Sequence, residues 1–220
     1  MATKVKICGL RTQAALEAAL VGGADYVGLV FFPPSPRNVA PAAAKTLADQ
    51  ARGRAKIVAL MVDPDDALID LVVAAVHPDL LQLHGSETPE LVASIRVRTH
   101  LPVMKAIPVA EIGDAQEAAA YAGIADYILF DAKPAPEAVL PGGNGVPFNW
   151  KALTGLSPPF ALSGGLTPGN VGEAIRLTGA SLVDVSSGVE RAAGEKEESL
   201  VRNFIQAAKA TVPQARAKAS

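Results

Sequence analysis

The sequence predicts a single α/β domain over residues 1–220, folded as a closed (β/α)8 barrel of the TIM-barrel type. Short runs rich in Val, Ile and Leu recur eight times, and an Ala- and Leu-rich stretch with helical spacing follows each of them. This alternation is typical of a parallel sheet covered by helices, and eight units favour a closed barrel over an open sheet. No internal linker divides the chain, and residues 213–220 are expected to form a frayed tail.

The eight strand–helix units follow one another along the whole chain. The predicted strands are Val5–Cys8, Tyr26–Val30, Lys56–Val62, Leu80–Leu83, Val103–Ile107, Tyr127–Phe130, Phe160–Ser163 and Leu182–Val185. The predicted helices are Thr12–Val21, Ala40–Gln50, Asp65–Val76, Pro89–Arg98, Glu111–Ala122, a short one from Trp150, Asn170–Leu177 and Glu195–Lys209.

Local signals support particular elements of this series. In the first helix, Leu16 and Leu20 have helical spacing. Asp63-Pro64 is expected to start the third helix, with an N-cap followed by proline at the first helical position. The Pro- and Gly-dense stretch Pro134–Pro147 is too short to separate two cores and is interpreted as a loop after the sixth strand.

Composition and charge exclude several classes of protein. Half of the residues are hydrophobic and 19% are charged, which is typical of a globular chain rather than a disordered one. A net charge of −2 gives no reason to expect a nucleic-acid surface. The lone Cys8 cannot form an internal disulfide, and no zinc pattern, signal peptide or membrane-spanning apolar run is present. The sequence therefore predicts a cytoplasmic protein that binds neither nucleic acid nor membrane.

Two residues at strand ends are candidates for catalysis, because the active site of such a barrel lies at the carboxyl ends of its strands. Alternation along the first strand directs Lys6 and Cys8 into the barrel, where Lys6 would favour the thiolate of Cys8. A small buried side chain is the alternative for Cys8. Asp131 follows four apolar residues of the sixth strand, and its alternative is a salt bridge with Lys133.

The loops after the seventh and eighth strands predict a phosphate site. Barrels of this class often bind phosphate there through backbone N–H groups and a short extra helix. The residues concerned are Gly164 and Gly165 in the first loop and Asp184, Ser186, Ser187 and Gly188 in the second. Tight turns are the alternative interpretation. Gly142–Gly145, after the sixth strand, are a hypothetical third side of the site and a mobile lid.

Further polar residues near the predicted mouth are Arg37 and His84. Prolines stiffen the loop that carries Arg37, whose guanidinium would suit a carboxylate ligand, with an ordinary surface arginine as the alternative. His84 follows the fourth strand and either lines the pocket or has a structural role, whereas His77 and His100 lie near helix ends and are expected to be solvated. No metal-ligand spacing and no dinucleotide motif is present, so no metal or cofactor is predicted.

Taken in order, these motifs resemble the phosphoribosylanthranilate isomerase family over nearly the whole chain. Single motifs are weak signals, but the ordered set is specific. Its pieces are Lys6–Gly9, Gly28–Phe31, Ser35–Arg37, Leu81–Gly85, Leu129–Asp131, Gly142–Gly145 with Phe148–Trp150, Leu162–Leu166 and Asp184–Glu190.

The resemblance implies an Amadori rearrangement without a cofactor. N-(5-phosphoribosyl)anthranilate would become 1-(2-carboxyphenylamino)-1-deoxyribulose 5-phosphate, a step of tryptophan biosynthesis. Asp131 would protonate the furanose ring oxygen as general acid, and Cys8 would remove the C2 proton as general base. The substrate-binding residues would be Arg37, for the anthranilate carboxylate, and His84, Gly164, Gly165, Asp184, Ser186, Ser187 and Gly188. A monomer is expected, with a dimer as the alternative.

The chain departs from the family pattern at a few positions, and rival functions stay open. Asn144 and Asn149 stand where threonine and aspartate are usual, and Gly169 stands where an acidic residue is common. The rivals are a ribulose-phosphate epimerase, an indole-glycerol-phosphate synthase and a non-catalytic phosphosugar-binding barrel. Activity on a related aminoaldose of histidine biosynthesis is left open as well.

Overall fold

Eight parallel strands close into a barrel in sequence order, with β8 hydrogen-bonded to β1. The computed structural model describes residues 3–111, 113–134, 140–143, 148–154, 156 and 159–212. The predicted (β/α)8 barrel is confirmed. The strands are β1 (Lys4–Cys8), β2 (Tyr26–Phe31), β3 (Lys56–Met61), β4 (Leu80–Leu83), β5 (Val103–Val109), β6 (Tyr127–Ala132), β7 (Ala161–Leu162) and β8 (Leu182–Val185).

The outer layer of the described chain is less regular than predicted. Its α-helices are α1 (Gln13–Gly22), α2 (Pro41–Ala51), α3 (Asp66–Val76), α4 (Pro89–Thr99), α5 (Val171–Thr178) and α6 (Glu198–Lys209). The segments after β5 and β6 form 3₁₀ helices instead, at Asp114–Tyr121 and Trp150–Leu153. The first of these buries only Ala115. An α-helix depends on packing an apolar face, so this segment has little to stabilise one.

Two predicted helix starts are wrong. Asp65, not Asp63, is the N-cap of α3, and its carboxylate accepts from Leu68 N–H at 2.8 Å. Asp63 has a positive φ of 44°, and its carboxylate accepts from Ser86 N–H across the β3 and β4 loops. The expected helix at Glu195 begins later, because β10 (Glu195–Lys196) pairs with β9 (Glu190–Ala192) as a small hairpin.

The barrel interior has apolar and polar levels. Towards the amino ends of the strands lies a buried hydrophobic cluster. Its members are Tyr26, Val58, Leu80, Met104, Ala106, Leu129, Ala161 and Leu182. Above it point the buried polar side chains Lys6, Gln82, Lys105 and Asp184. At the carboxyl ends, Cys8, Val30 and Leu60 form a third, apolar cluster. The buried polar side chains therefore lie directly above a closely packed hydrophobic layer.

Two further expectations concern parts of the chain outside the described residues. The predicted frayed tail, 213–220, lies there, as do Asn144 and Gly145 of the hypothetical lid. Asn149 is described, and its side chain caps the 3₁₀ helix at Trp150 by accepting from Lys151 N–H. No helix in the described segments has the length and apolar character needed to cross a membrane.

Candidate active site

A cavity of about 380 Å³ opens at the carboxyl ends of the strands. All ten residues predicted for the site line it. They are Cys8, Arg37, His84, Asp131, Gly164, Gly165, Asp184, Ser186, Ser187 and Gly188. Apolar side chains, including Val30, Phe32 and Leu60, form much of the remaining wall. The cavity therefore combines a thiol, a carboxyl group and glycine-rich loops with an apolar surface that suits an aromatic ring.

Cys8 ends β1 at the apolar edge of the cavity and is 4% exposed. The neighbouring strand carries Gly28 beside it. A Cβ at that position would lie 2.9 Å from the Cys8 sulfur and 3.1 Å from the Lys6 ammonium nitrogen, closer than van der Waals contact allows. The absence of a side chain at Gly28 thus makes room for the thiol and for the cation below it.

Lys6 lies under Cys8 as one half of a buried ion pair. Its Nζ is 2.9 Å from Asp184 Oδ2, and the two residues face each other across the β1–β8 ladder. Burial opposes the charge of Lys6, but Asp184 and Cys8 together outweigh it and raise the pKa of the ammonium group. Lys6 therefore stays charged, and Oδ2 of Asp184, a residue that also lines the cavity, is engaged by Lys6.

The pKa of the Cys8 thiol depends on its burial and on three nearby charges. Burial raises the pKa of the thiol, and the charge of Asp184 adds to this. Lys6 and Lys196 lower it, but not enough to compensate. As predicted from the sequence, Lys6 favours the thiolate, but burial of the sulfur opposes ionisation more strongly and the carboxylate of Asp184 adds to that opposition.

Ultraviolet titration of the ligand-free protein tests this directly, because Cys8 is the one cysteine in the sequence. We expect the thiolate absorbance near 240 nm to appear at higher pH than for free cysteine under the same conditions. The Cys8→Ser variant provides the baseline that removes the tyrosine contribution. A thiolate already formed at neutral pH would contradict the described environment.

Asp131 lies near the carboxyl end of β6 and is 4% exposed. Its Oδ2 is 3.0 Å from His84 Nε2, and its Oδ1 accepts from Ala132 N–H at 3.0 Å. The alternative salt bridge with Lys133 is not formed, because Lys133 pairs with Asp114 outside the cavity. Asp131 is therefore a cavity carboxyl group whose side-chain partner is a histidine.

The loops after β7 and β8 have the backbone conformation that a phosphate site needs. Gly164 and Gly165 have φ of 87° and 63°, in the left-handed region that favours glycine. Ser187–Val189 form a short 3₁₀ helix whose start faces the cavity. Backbone N–H groups at such positions are good ligands for an oxyanion.

Arg37 is held more firmly than the sequence suggested. Its Nε and Nη2 donate to the two carboxylate oxygens of Glu190 at 2.8 and 2.9 Å, and Nη2 also donates to the Gly143 carbonyl at 3.2 Å. This bidentate pair of hydrogen bonds to Glu190 fixes the plane of the Arg37 guanidinium. Although Arg37 lines the cavity, part of its hydrogen-bonding capacity is already used.

Lys196 and Glu190 are the residues that the sequence analysis missed. Lys196 donates to Glu190 at 2.7 Å and to the carbonyl and hydroxyl oxygens of Ser186, whose hydroxyl donates to the Cys8 carbonyl. Burial works against the charge of Glu190, but Arg37 and Lys196 outweigh it and lower the pKa of Glu190 to about 2. Gly194, between short charged segments, is the hairpin signal that could have placed Lys196 here.

Comparisons with known proteins agree on one family. The family model for N-(5'-phosphoribosyl)anthranilate (PRA) isomerase matches residues 5–207. N-(5'-phosphoribosyl)anthranilate isomerase of Paramagnetospirillum magneticum is 54% identical over 215 residues, which are 97% of this chain and all of that protein.

Solved structures agree as well. This chain is similar, at 33% identity and a TM-score of 0.81, to mutually generated monomers of the dimeric phosphoribosylanthranilate isomerase from Thermotoga maritima, covering 94% of this chain and 99% of that one. A phosphoribosyl anthranilate isomerase in complex with reduced 1-(o-carboxyphenylamino)-1-deoxyribulose 5-phosphate is 32% identical, with a TM-score of 0.82 and the same coverage.

Proposed function

Because this chain belongs to the N-(5'-phosphoribosyl)anthranilate isomerase family, an isomerase family of tryptophan biosynthesis, we propose that Cys8 and Asp131 carry out its reaction in the barrel cavity. The reaction converts N-(5'-phosphoribosyl)anthranilate into 1-(2-carboxyphenylamino)-1-deoxyribulose 5-phosphate. The observation that supports this assignment is the meeting of a thiol, a carboxyl group and two phosphate-type loops in one cavity.

The first step opens the furanose ring. Asp131 donates a proton to the ring oxygen as the bond between that oxygen and C1 breaks. The nitrogen lone pair forms a C1=N double bond, so the sugar becomes an open-chain iminium with a neutral hydroxyl group. A hydrogen bond from His84 would stabilise the carboxylate that remains on Asp131.

The second step moves a proton from carbon. Cys8 removes the proton at C2, the C–H electrons form a C1=C2 double bond, and the iminium electrons return to nitrogen. The enolamine then loses the proton of its 2-hydroxyl group and gains one at C1, which gives the ketone. The iminium of the substrate accepts the electrons, so the step needs no external oxidant or reductant.

The raised pKa of Cys8 adds a requirement to this step. The thiol must lose its proton within the complex before it can act as a base. Lys6 and Lys196 already favour the thiolate electrostatically, and the cationic iminium would add positive charge close to the sulfur. Formation of the iminium in the first step therefore supplies positive charge that the ligand-free site lacks.

The two anionic ends of the substrate are assigned to different groups of the cavity lining. The phosphate would accept hydrogen bonds from the loops of Gly164–Gly165 and Ser187–Gly188. The anthranilate carboxylate would bind Arg37, and the aromatic ring would contact the apolar wall of Val30, Phe32 and Leu60. His84 and Asp184, which also line the cavity, would in addition support Asp131 and Lys6 through their hydrogen bonds to them.

Arg37→Ala is expected to weaken substrate binding, raising KM by an amount that corresponds to about 1–3 kcal/mol, the cost of losing a charge-assisted hydrogen bond. We expect kcat to change much less, because Arg37 contacts neither C2 nor the ring oxygen in this account. Steady-state kinetics measures both constants. Arg54→Ala is the control, since Arg54 pairs with Glu17 on the surface. An unchanged KM in the Arg37 variant would place the carboxylate elsewhere.

The same proposal covers the organisation of the protein. The predicted single domain is supported by the closed barrel, and we propose a monomer. The Thermotoga maritima relative is described as dimeric, so a dimer remains the alternative. A cytoplasmic location fits a biosynthetic isomerase whose lone cysteine is used as a free thiol.

The activity is tested by generating phosphoribosylanthranilate in situ from anthranilate and phosphoribosyl pyrophosphate, and following the decay of its fluorescence. We expect the purified protein to accelerate the decay well beyond the spontaneous rate. A folded protein without this acceleration would leave a phosphosugar-binding barrel as the better interpretation, and binding of other phosphorylated sugars would be measured next.

A further inference from the structure

Gln82 is a fully buried polar side chain inside the barrel for which the reaction as described has no use. It lies in β4 at 0% exposure, and its carbonyl oxygen has no hydrogen-bond partner in the part of the chain that the structure describes. An unpaired buried carbonyl destabilises a fold by about 1–3 kcal/mol. An apolar side chain of similar size would avoid this cost, so we expect the amide of Gln82 to have a function.

The other end of the amide is engaged in a chain that leads to the catalytic acid. Gln82 Nε2 is 3.0 Å from His84 Nδ1, and His84 Nε2 is 3.0 Å from Asp131 Oδ2. The loop after β6 covers this chain, since a Cβ at Gly142 would lie 2.6 Å from Asp131 Oδ2 and 2.7 Å from His84 Nε2. Gln82, His84 and Asp131 are thus connected by two hydrogen bonds beneath the closely packed loop that contains Gly142.

The hydrogen-bonding capacity of each group fixes where the imidazole proton lies. An amide nitrogen only donates, so Nδ1 of His84 must accept and carry no proton. A neutral His84 then has its proton on Nε2, directed at Asp131. Reversing the amide would leave its NH2 group unpaired in place of one carbonyl oxygen, which is the less favourable arrangement because that group has two donors to satisfy.

We propose that Gln82 is a positioning residue that holds His84 in the Nε2–H tautomer, so that His84 donates to Asp131 and stabilises the carboxylate left when Asp131 gives up its proton. The proposal rests on the role of Asp131 as general acid. The hydrogen bond from Nε2 strengthens as negative charge develops on Asp131, so it stabilises the transition state more than the ground state. Gln82 has this effect without contacting the substrate.

Long-range ¹H–¹⁵N NMR of ligand-free protein labelled with ¹⁵N at histidine shows which ring nitrogen of His84 carries the proton. The sequence has three histidines, and the exposed His77 and His100 are internal references. The Nε2 of His84 is expected to carry the proton and its Nδ1 to be unprotonated. A His84 protonated on Nδ1 in an enzyme that turns over would overturn the proposal. Absence of turnover in the wild type would instead count against the proposed function.

The matched variant is Gln82→Glu, which keeps the volume but places an acceptor opposite Nδ1. We expect Nδ1 to become protonated and kcat to fall at least about tenfold, within the range that acid–base groups contribute, while KM changes less than about twofold. Gln82→Met, which removes the donor without adding charge, should give a mixed tautomer and a smaller loss of kcat. It also keeps the test available if the glutamate variant does not fold.

Thr3→Val is the control for a lost buried hydrogen bond. Thr3 donates to the Ala180 carbonyl at the opposite end of the barrel, and its loss should move neither the His84 spectrum nor kcat. If Gln82→Glu protonates Nδ1 and leaves kcat at the wild-type value, or if both Gln82 variants keep the Nε2–H tautomer, then Gln82 only fills space and the proposal is wrong.

Discussion

Asp131→Asn is expected to lower kcat by about 10²- to 10⁴-fold, the range that a positioned general acid contributes. The amide keeps the shape of the carboxyl group, and its oxygen can still accept from His84 Nε2. The variant should therefore have a KM close to that of the wild type, and ring opening should become much slower. A substrate deuterated at C2 should then react without a primary isotope effect, because ring opening has become the slow step.

Asp126→Asn is the matched control for this result. Asp126 directly precedes β6, the strand that carries Asp131, but it lies at the amino end, where it accepts from Arg96 and from Val103 N–H. Residues at that end of a barrel affect stability rather than chemistry, so its kcat should match the wild type. Near-normal turnover by Asp131→Asn would remove Asp131 from the mechanism.

Cys8→Ser is expected to reduce kcat by a similar factor, about 10²- to 10⁴-fold, but at the next step. A serine hydroxyl in the same buried place is far less acidic than a thiol, so the two lysines that favour the thiolate cannot make an alkoxide of it. Ring opening by Asp131 should be retained, and removal of the C2 proton should become rate-limiting.

The two losses can therefore be distinguished by isotope effects. With a substrate deuterated at C2, Cys8→Ser should show a primary kinetic isotope effect, whereas Asp131→Asn should not. Cys8→Ala should be as slow as Cys8→Ser if the proton-accepting role is what matters. Wild-type turnover in either cysteine variant would show that another group removes the proton.

The barrel and the position of its site could be predicted because they depend on local patterns. Eight alternating apolar segments specify a parallel barrel, and the residue that ends each strand must lie at the mouth. Cys8, Asp131 and the glycines after β7 and β8 were identified in this way, and the structure brings them to one cavity. The resemblance to a family then supplied the chemistry for those positions.

Contacts between distant segments could not be predicted from local patterns. The pKa of Cys8 is raised by burial in the folded barrel and further by Asp184, which is far away in sequence, against the opposing charge of the nearby Lys6. Lys196 is predicted within a helix, but the hairpin at Gly194 places its ammonium group on the carbonyl and hydroxyl oxygens of Ser186. The hydrogen bond between His84 Nε2 and Asp131 Oδ2 joins residues of two different strand ends, and no local pattern predicts it. In each case a tertiary partner determines the role of the side chain.

The proposed mechanism requires that the acid, Asp131, and the base, Cys8, flank the same sugar in one cavity. A crystal structure of this protein with the reduced product analogue, the kind of complex solved for a relative, tests it most directly. We expect the Cys8 sulfur within about 3.5 Å of C2 and an Asp131 oxygen within about 3.2 Å of the hydroxyl derived from the ring oxygen, the distances that reacting groups require. A bound analogue whose C2 faces away from Cys8, or whose hydroxyl is out of reach of Asp131, would contradict the account.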